Sequence, residues 1–285
     1  MGVYAVTGAA SGMGYQAAEK LRAAGHRVIG VDLRDTEVTG DLSTAAGRAG
    51  AAEAVLSAAD GRLDGAVLAA GLGPTPGRGG VRTLLQVNYF GVVDLLTAWR
   101  AGLAAADGVA KVVVIGSNST TVTPAVPGVA VRALLAGNAR RAERVLAVFG
   151  PGAPSLAYAA SKTAVSRWVR RHAVRGQWAG ADIRLNVLAP GAIMTPLLEK
   201  QLATPGQATA VQSFPVPVGH FGDAGQLGDW MLFMLSESAE FLCGSVIVVD
   251  GGSDAYFRAD AWPRSVPVRT LIGYGRRYRG FRATR

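Results

Sequence analysis

Short apolar runs alternate with stretches of helical periodicity along this chain, and no other feature constrains its fold as much. Residues 3–7, 27–31, 66–70, 111–117, 184–189 and 245–249 read as buried strands. Between them, 15–24, 45–59, 81–103, 158–175 and 226–235 read as helices. Strands that alternate with helices pair in parallel through right-handed crossovers, which places helices on both sheet faces. The expected fold is α/β: a single doubly wound Rossmann domain with a parallel sheet of about seven strands. No tandem repeat or linker divides it.

Two segments exceed a minimal alternation. Residues 118–157 form a long excursion ahead of the Tyr158 helix. Within it Ala142, Val145, Leu146 and Phe149 fall at i, i+3, i+4 and i+7, opposite Arg140, Arg141 and Arg144. That pattern is an amphipathic helix with Asn138 placed to cap it, so a helical insertion is expected here. Residues 194–221 are apolar but interrupted by Pro196, Pro205, Pro215 and Pro217. They suit either a cover over a pocket or an ordinary surface loop.

The net charge of +9 is unevenly placed. Residues 256–285 hold eight Arg and one Asp, which leaves only +2 for residues 1–255. The expected division is a folded body over 1–255 and a basic C-terminal extension over 256–285. Tyr274, Tyr278 and Phe281 interleave with Arg276, Arg277, Arg279 and Arg282, as in weak contacts with nucleic acid or anionic surfaces. A poorly ordered terminus is the alternative, and nucleic acid is not the expected partner. No apolar run reaches the roughly 18–20 residues of a membrane span. The start enters a strand with no leader-like pattern, and Cys243 is the sole cysteine, so the expected location is cytoplasmic.

Gly8, Gly12 and Gly14 follow the first strand and open the first helix. Glycines let the backbone turn sharply and approach a pyrophosphate, whose charge the helix N-terminus stabilises. Ser11 and Met13 lie inside this turn. Asp32 follows Gly14 by 18 residues, close to the separation at which an acid binds the adenosine ribose. A carboxylate there repels a 2′-phosphate and favours NAD, while Arg34 keeps NADP open. Tyr158 and Lys162, four apart, share one helical face.

Taken in order, these motifs resemble the short-chain dehydrogenase/reductase family over nearly the whole chain. Thr7–Gly14 matches T-G-x-x-x-G-x-G, Asp41-Leu42 its adenine-pocket D-[LV], and Asn88 its helix asparagine. Ser117 matches the strand-end serine, Tyr158 and Lys162 Y-x-x-x-K, Pro190-Gly191 the P-G turn, and Asp250-Gly-Gly252 the closing D-G-G. The stretch 31–43 and the excursion 118–157 are similar to the bacterial 3α-hydroxysteroid dehydrogenase/carbonyl reductase branch. Two departures stand out. Ala69-Ala-Gly71 replaces Asn-Asn-Ala-Gly, which removes amides that would brace the sheet. Ser117 and Tyr158 are 41 residues apart instead of little more than a dozen, so the excursion should bulge outward.

The resemblance implies a catalytic set of Asn88, Ser117, Tyr158 and Lys162. Tyr158 would exchange the alcohol proton, its pKa lowered by Lys162 and by an oxidised nicotinamide. Ser117 would bind the substrate oxygen, and Asn88 would anchor a water joining Lys162 to solvent. The implied NAD contacts are Gly8, Ser11, Gly12, Met13, Gly14, Asp32, Leu33, Asp41, Leu42, Ala70, Gly71, Tyr158, Lys162, Pro190, Gly191, Ile193 and Thr195. The apolar residues Ile193, Leu197, Leu198, Phe214, Val216 and Phe221 suggest a bulky apolar alcohol or ketone, such as a hydroxysteroid. His26, His172 and His220 lack metal-ligand spacing, so no metal site is expected. Trp168 is expected in the core or an interface. In the family the Tyr158 helix and its neighbour form a four-helix dimer face, which the excursion should obstruct or replace, so a homo-oligomer, dimer or tetramer, with 118–157 at its main interface is expected. The competing reading is a catalytically silent NAD(H)-binding regulator with a nucleic-acid-binding tail.

Overall fold

A computed structural model describes residues 1–74, 79–263 and 265–281. The expected strands form: β1 (Val3–Thr7), β2 (Arg27–Asp32), β4 (Gly65–Leu68), β5 (Ala110–Ile115), β6 (Ile183–Pro190) and β9 (Val246–Val249). A two-residue β3 (Val38–Thr39) supplies the seventh strand, and the order is β3-β2-β1-β4-β5-β6-β9. Every pairing is parallel. Alternate residues of each strand enter opposite layers. Ala5, Ala66, Leu68, Val112 and Val114 pack beneath α2 (Ala45–Ala58), α4 (Gly91–Ala104) and α8 (Ala153–His172). Val6, Val67 and Val113 pack beneath α1 (Gly12–Ala23) and α11 (Ala224–Leu235).

The stretch expected as one helix over 81–103 is instead α3 (Gly80–Leu85), a π turn (Gln86–Phe90) and α4. The excursion holds α5 (Ser119–Val122), α6 (Gly128–Leu135) and α7 (Ala139–Ala147). Asn138 caps α7 as expected, its Oδ1 accepting from Arg141 N at 2.9 Å. The excursion does not bulge free. Val131, Leu134, Ala142 and Leu146 are buried in the same core as Ala160 and Val165 of α8, where the apolar faces of α6 and α7 pack on each other and on α8. Trp168 is a core residue, stacked on His172 at 4.0 Å between centroids.

The segment 194–221 is largely helical. Thr195 caps α9 (Pro196–Leu202), whose first turn accommodates Pro196 because a helix start needs no N–H there. α10 (Pro205–Gln212) follows. Its ends are pinned where β7 (Ile193–Met194) pairs with β8 (Gly222–Asp223). Beyond β9 come α12 (Ser253–Arg258) and α13 (Leu271–Gly280), the latter exposed along its length. Among the described residues no helix is long and apolar enough to cross a membrane.

Candidate active site

Parallel strands end at one sheet edge, and the loops leaving that edge carry most of the residues singled out in the sequence. Gly8 has φ +71°, and a Cβ there would lie 2.8 Å from Ala70 N. A Cβ on Gly14 would fall onto the Gly8 carbonyl oxygen. Only glycine allows this loop to fold back on itself. Ser11 precedes α1 in extended conformation and makes no side-chain cap bond, so the leading N–H groups of α1 lack that acceptor. This cradle fits a pyrophosphate.

At the end of β2, Asp32 Oδ2 accepts from Ala10 N at 3.1 Å and Oδ1 from Leu33 N at 2.7 Å. The carboxylate therefore joins the strand to the glycine turn. Leu33 is exposed, and Arg34 points into solvent beside Asp35. Asp41 Oδ1 accepts from Ser43 N at 2.9 Å, and bonding to Ser43 holds its carboxyl below the usual range. Leu42 is buried.

The missing amides after β4 are offset by Thr7. Its buried Oγ1 accepts from Ala70 N at 3.1 Å, and its carbonyl accepts from Ala69 N at 3.2 Å. Asn88, fully buried at the centre of the π turn, then clamps the next residue. Its Oδ1 accepts from Leu72 N at 2.8 Å and its Nδ2 donates to Leu72 O at 2.9 Å. Gly71 lies in between: a Cβ there would be 3.4 Å from Asn88 Oδ1 and 3.6 Å from Lys162 Nζ.

Ser117 follows β5, and its Oγ accepts from Ser119 N at 3.1 Å. The Ser117 hydroxyl also hydrogen-bonds Tyr158, despite the 41 residues between them. Lys162, one helical turn after Tyr158, donates from Nζ to Ile115 O at 2.8 Å, and Nζ lies 5.9 Å from the centroid of the Tyr158 ring. Burial pushes Lys162 down to about 8. Burial also raises the Tyr158 phenol, with the Ser117 bond pulling the other way. The expected lowering of Tyr158 concerns the phenol with an oxidised nicotinamide beside it; the protein alone holds it raised. The ammonium is itself desolvated and turned to Ile115, so it does not lower the phenol in this state.

These groups share a cleft of about 580 Å³. Met13, Gly71, Ser117, Tyr158, Lys162, Pro190, Gly191, Ile193 and Thr195 line it, whereas Asp32, Leu33, Asp41 and Leu42 lie outside it, toward β2 and β3. Asn88 stands behind the wall, reaching it through Leu72. Leu197, Leu198 and Phe214 of the cover face the cleft as expected. Val216 and Phe221 do not line it; Val216 lies over Gly251. Among the lining residues the sequence reading missed are Leu72, Pro74, Val122, Thr123, Ser155, Gln201, Gln207 and Val211. Helical spacing in 196–212 could have found Val211, but the wall from 122–123 carries no local signal. Among the described residues no group of three or more His, Cys, Asp or Glu could hold a metal.

Comparison with known proteins agrees with this geometry. The chain is 38% identical over 259 residues to a 3-alpha-hydroxysteroid dehydrogenase/carbonyl reductase of Comamonas testosteroni, covering 90% of this chain and 98% of that protein. It is 40% identical to a 3-alpha-hydroxysteroid dehydrogenase from Pseudomonas sp. B-0831 solved with NADH. That match has a TM-score of 0.85 and covers 91% of this chain and 100% of the other. A family model described as Enoyl-(Acyl carrier protein) reductase matches residues 145–254. The parallel sheet and the glycine cradle make a dinucleotide-binding fold, and the relatives matched over nine-tenths of the chain are oxidoreductases. The chain belongs to the short-chain dehydrogenase/reductase family.

Proposed function

We propose that this oxidoreductase uses NAD(H) to interconvert a secondary alcohol and a ketone on a bulky apolar substrate such as a hydroxysteroid. The observation that carries the reading is the meeting of Ser117, Tyr158 and Lys162 on one wall of the cleft. Tyr158 exchanges the proton with the substrate oxygen, and Ser117 donates a hydrogen bond to that oxygen as it gains negative charge. Lys162 supplies the nearest ammonium and Asn88 fixes the Leu72 wall. When bound, the nicotinamide accepts or delivers hydride, and its oxidised form supplies the positive charge that lowers the phenol. Val122, Leu197, Leu198, Val211 and Phe214 support an apolar substrate, and Asp32 supports NAD over NADP. The names of the Comamonas testosteroni and Pseudomonas sp. relatives support the steroid class.

The test is NADH formation from NAD with a panel of hydroxysteroids and alicyclic alcohols. Turnover is expected on the panel, with Tyr158→Phe slower by about 10²–10⁴. A Tyr158→Phe variant at full rate refutes the proton role. Cofactor binding without turnover on any panel member refutes the substrate class.

A further inference from the structure

Arg48 is a charged side chain buried away from the cleft, and its contacts join two parts of the site. Thr44 Oγ1 accepts from Gly47 N at 2.9 Å and starts α2, while a Cβ on Gly47 would fall onto the Asp41 carbonyl oxygen. The first turn of α2 therefore lies against Asp41-Leu42. From that turn Arg48, its side chain only 6% exposed, reaches inward. Nη1 donates to Leu42 O at 3.0 Å and to Gln86 Oε1 at 3.1 Å, and Nε donates to Asp94 Oδ2 at 2.7 Å. The guanidinium carbon lies 5.9 Å from the Phe90 ring centroid.

Gln86 and Phe90 are the first and last residues of the π turn that presents Asn88. One planar group thus holds both ends of that turn and the backbone of Leu42. Asn88 carries the connection on to Leu72 in the cleft wall. A lysine could not span these acceptors, because its donors radiate from a single point. A buried guanidinium costs desolvation that an apolar side chain would avoid, and its carboxylate partner Asp94 is 45% exposed. Packing alone does not call for arginine here.

We infer that Arg48 is a positioning residue that locks the Leu42 carbonyl to the π turn bearing Asn88, so the adenine side of the site and the catalytic wall share one brace. The inference rests on the NAD(H) reading above.

The test pairs NADH affinity, read from fluorescence without turnover, with kcat at saturating substrates. Arg48→Met is expected to weaken NADH binding about tenfold, the equivalent of one lost charged hydrogen bond, and to lower kcat as well. Arg48→Lys is expected to recover only part of the affinity. Gln86→Leu spares the Leu42 and Asp94 contacts, so it should lower kcat while NADH affinity stays within about twofold of wild type. An Arg48→Met protein that melts earlier yet keeps wild-type affinity and kcat overturns the inference and leaves a purely structural arginine. If Arg48→Met does not fold, Gln86→Leu decides: unchanged kcat overturns the coupling. An unproductive substrate panel refutes the proposed substrate class and leaves the affinity result standing.

Discussion

Asn88 offers the sharpest test of how the catalytic wall is held. Asn88→Ala removes one acceptor and one donor from the Leu72 backbone, bonds of 2.8 and 2.9 Å made by a fully buried side chain. A buried backbone group left unpaired costs about 1–3 kcal/mol. Leu72 is half-buried, so water can reach part of it, and a total of roughly 2–4 kcal/mol is expected. At roughly 2 °C per kcal/mol for a chain of this size, the melting temperature should fall by roughly 4–8 °C. Asn88→Asp separates hydrogen bonding from packing. Its carboxylate still accepts from Leu72 N but sets a negative oxygen against Leu72 O. Burial then raises the folded pKa of the new acid above its unfolded value of about 3.9. In its protonated form the acid can donate to Leu72 O. The folded state therefore holds the proton more tightly, so stability relative to wild type is best at low pH and is lost as pH rises through the raised value. Melting curves of both variants and wild type at pH 5 and pH 8 give the answer. An Asn88→Asp deficit equal at both pH values would refute the reasoning, as would an Asn88→Ala protein melting with wild type.

Two further predictions follow from buried bases. Lys162 is held at about 8 against an ordinary 10.5, so the native state carries the cost of a desolvated ammonium below about pH 8, and wild-type stability should rise from there toward the unfolded value. Lys162→Met should therefore melt a few degrees higher at pH 7, with a gap that narrows by pH 9.5, while turnover disappears; calorimetry at both pH values would expose a variant that melts lower and so contradicts this. Burial also lowers the His172 pKa, so stability is present above the ordinary histidine value of about 6.5 and lost as pH falls from there through the lowered folded value. His172→Phe keeps a ring against Trp168 and should flatten the melting profile between pH 5 and 7; a profile parallel to wild type counts against it.

Much of this fold was legible because a strand buried on both faces reads as an unbroken apolar run. β5, buried at every position, is the clearest case. β3, at two residues, is too short for any period to show. The π turn was invisible because 81–103 keeps helical spacing, and the extra residue is set by what Arg48 and Asn88 bind at a distance. The start of α8 at Ala153 was missed since Pro154 reads as a breaker, although a first helical turn tolerates it. At the site, the glycine turn was legible because Gly8 and Gly12 need positive φ. Thr7 was not: its bond to Ala70 spans 63 residues.

The walls of the cleft come from segments far apart in sequence, yet one turn ties them together. Asp250 accepts from Asn118 Nδ2 at 3.2 Å, Gly252 N at 3.0 Å and Asp254 N at 2.8 Å. Asn118 adjoins Ser117, and its own N–H donates to Pro190 O at 2.9 Å. Two residues beyond Gly251, the buried Ser253 donates to Pro215 O at 2.7 Å, and Gly251 O accepts from Val218 N at 3.2 Å. The start of the 118–157 segment, the P-G turn after β6 and the far end of the cover are therefore held by the same few residues. A buried, fully bonded carboxylate resists displacement, because moving any partner leaves a charge short of donors. The cover is therefore anchored at 215–218 as well as where β7 pairs with β8. Between these anchors Leu197, Leu198 and Val211 of α9 and α10 face the cleft, so replacing them with smaller or larger side chains is expected to change which panel substrates turn over. An unchanged substrate profile in such variants would refute that role for 196–212.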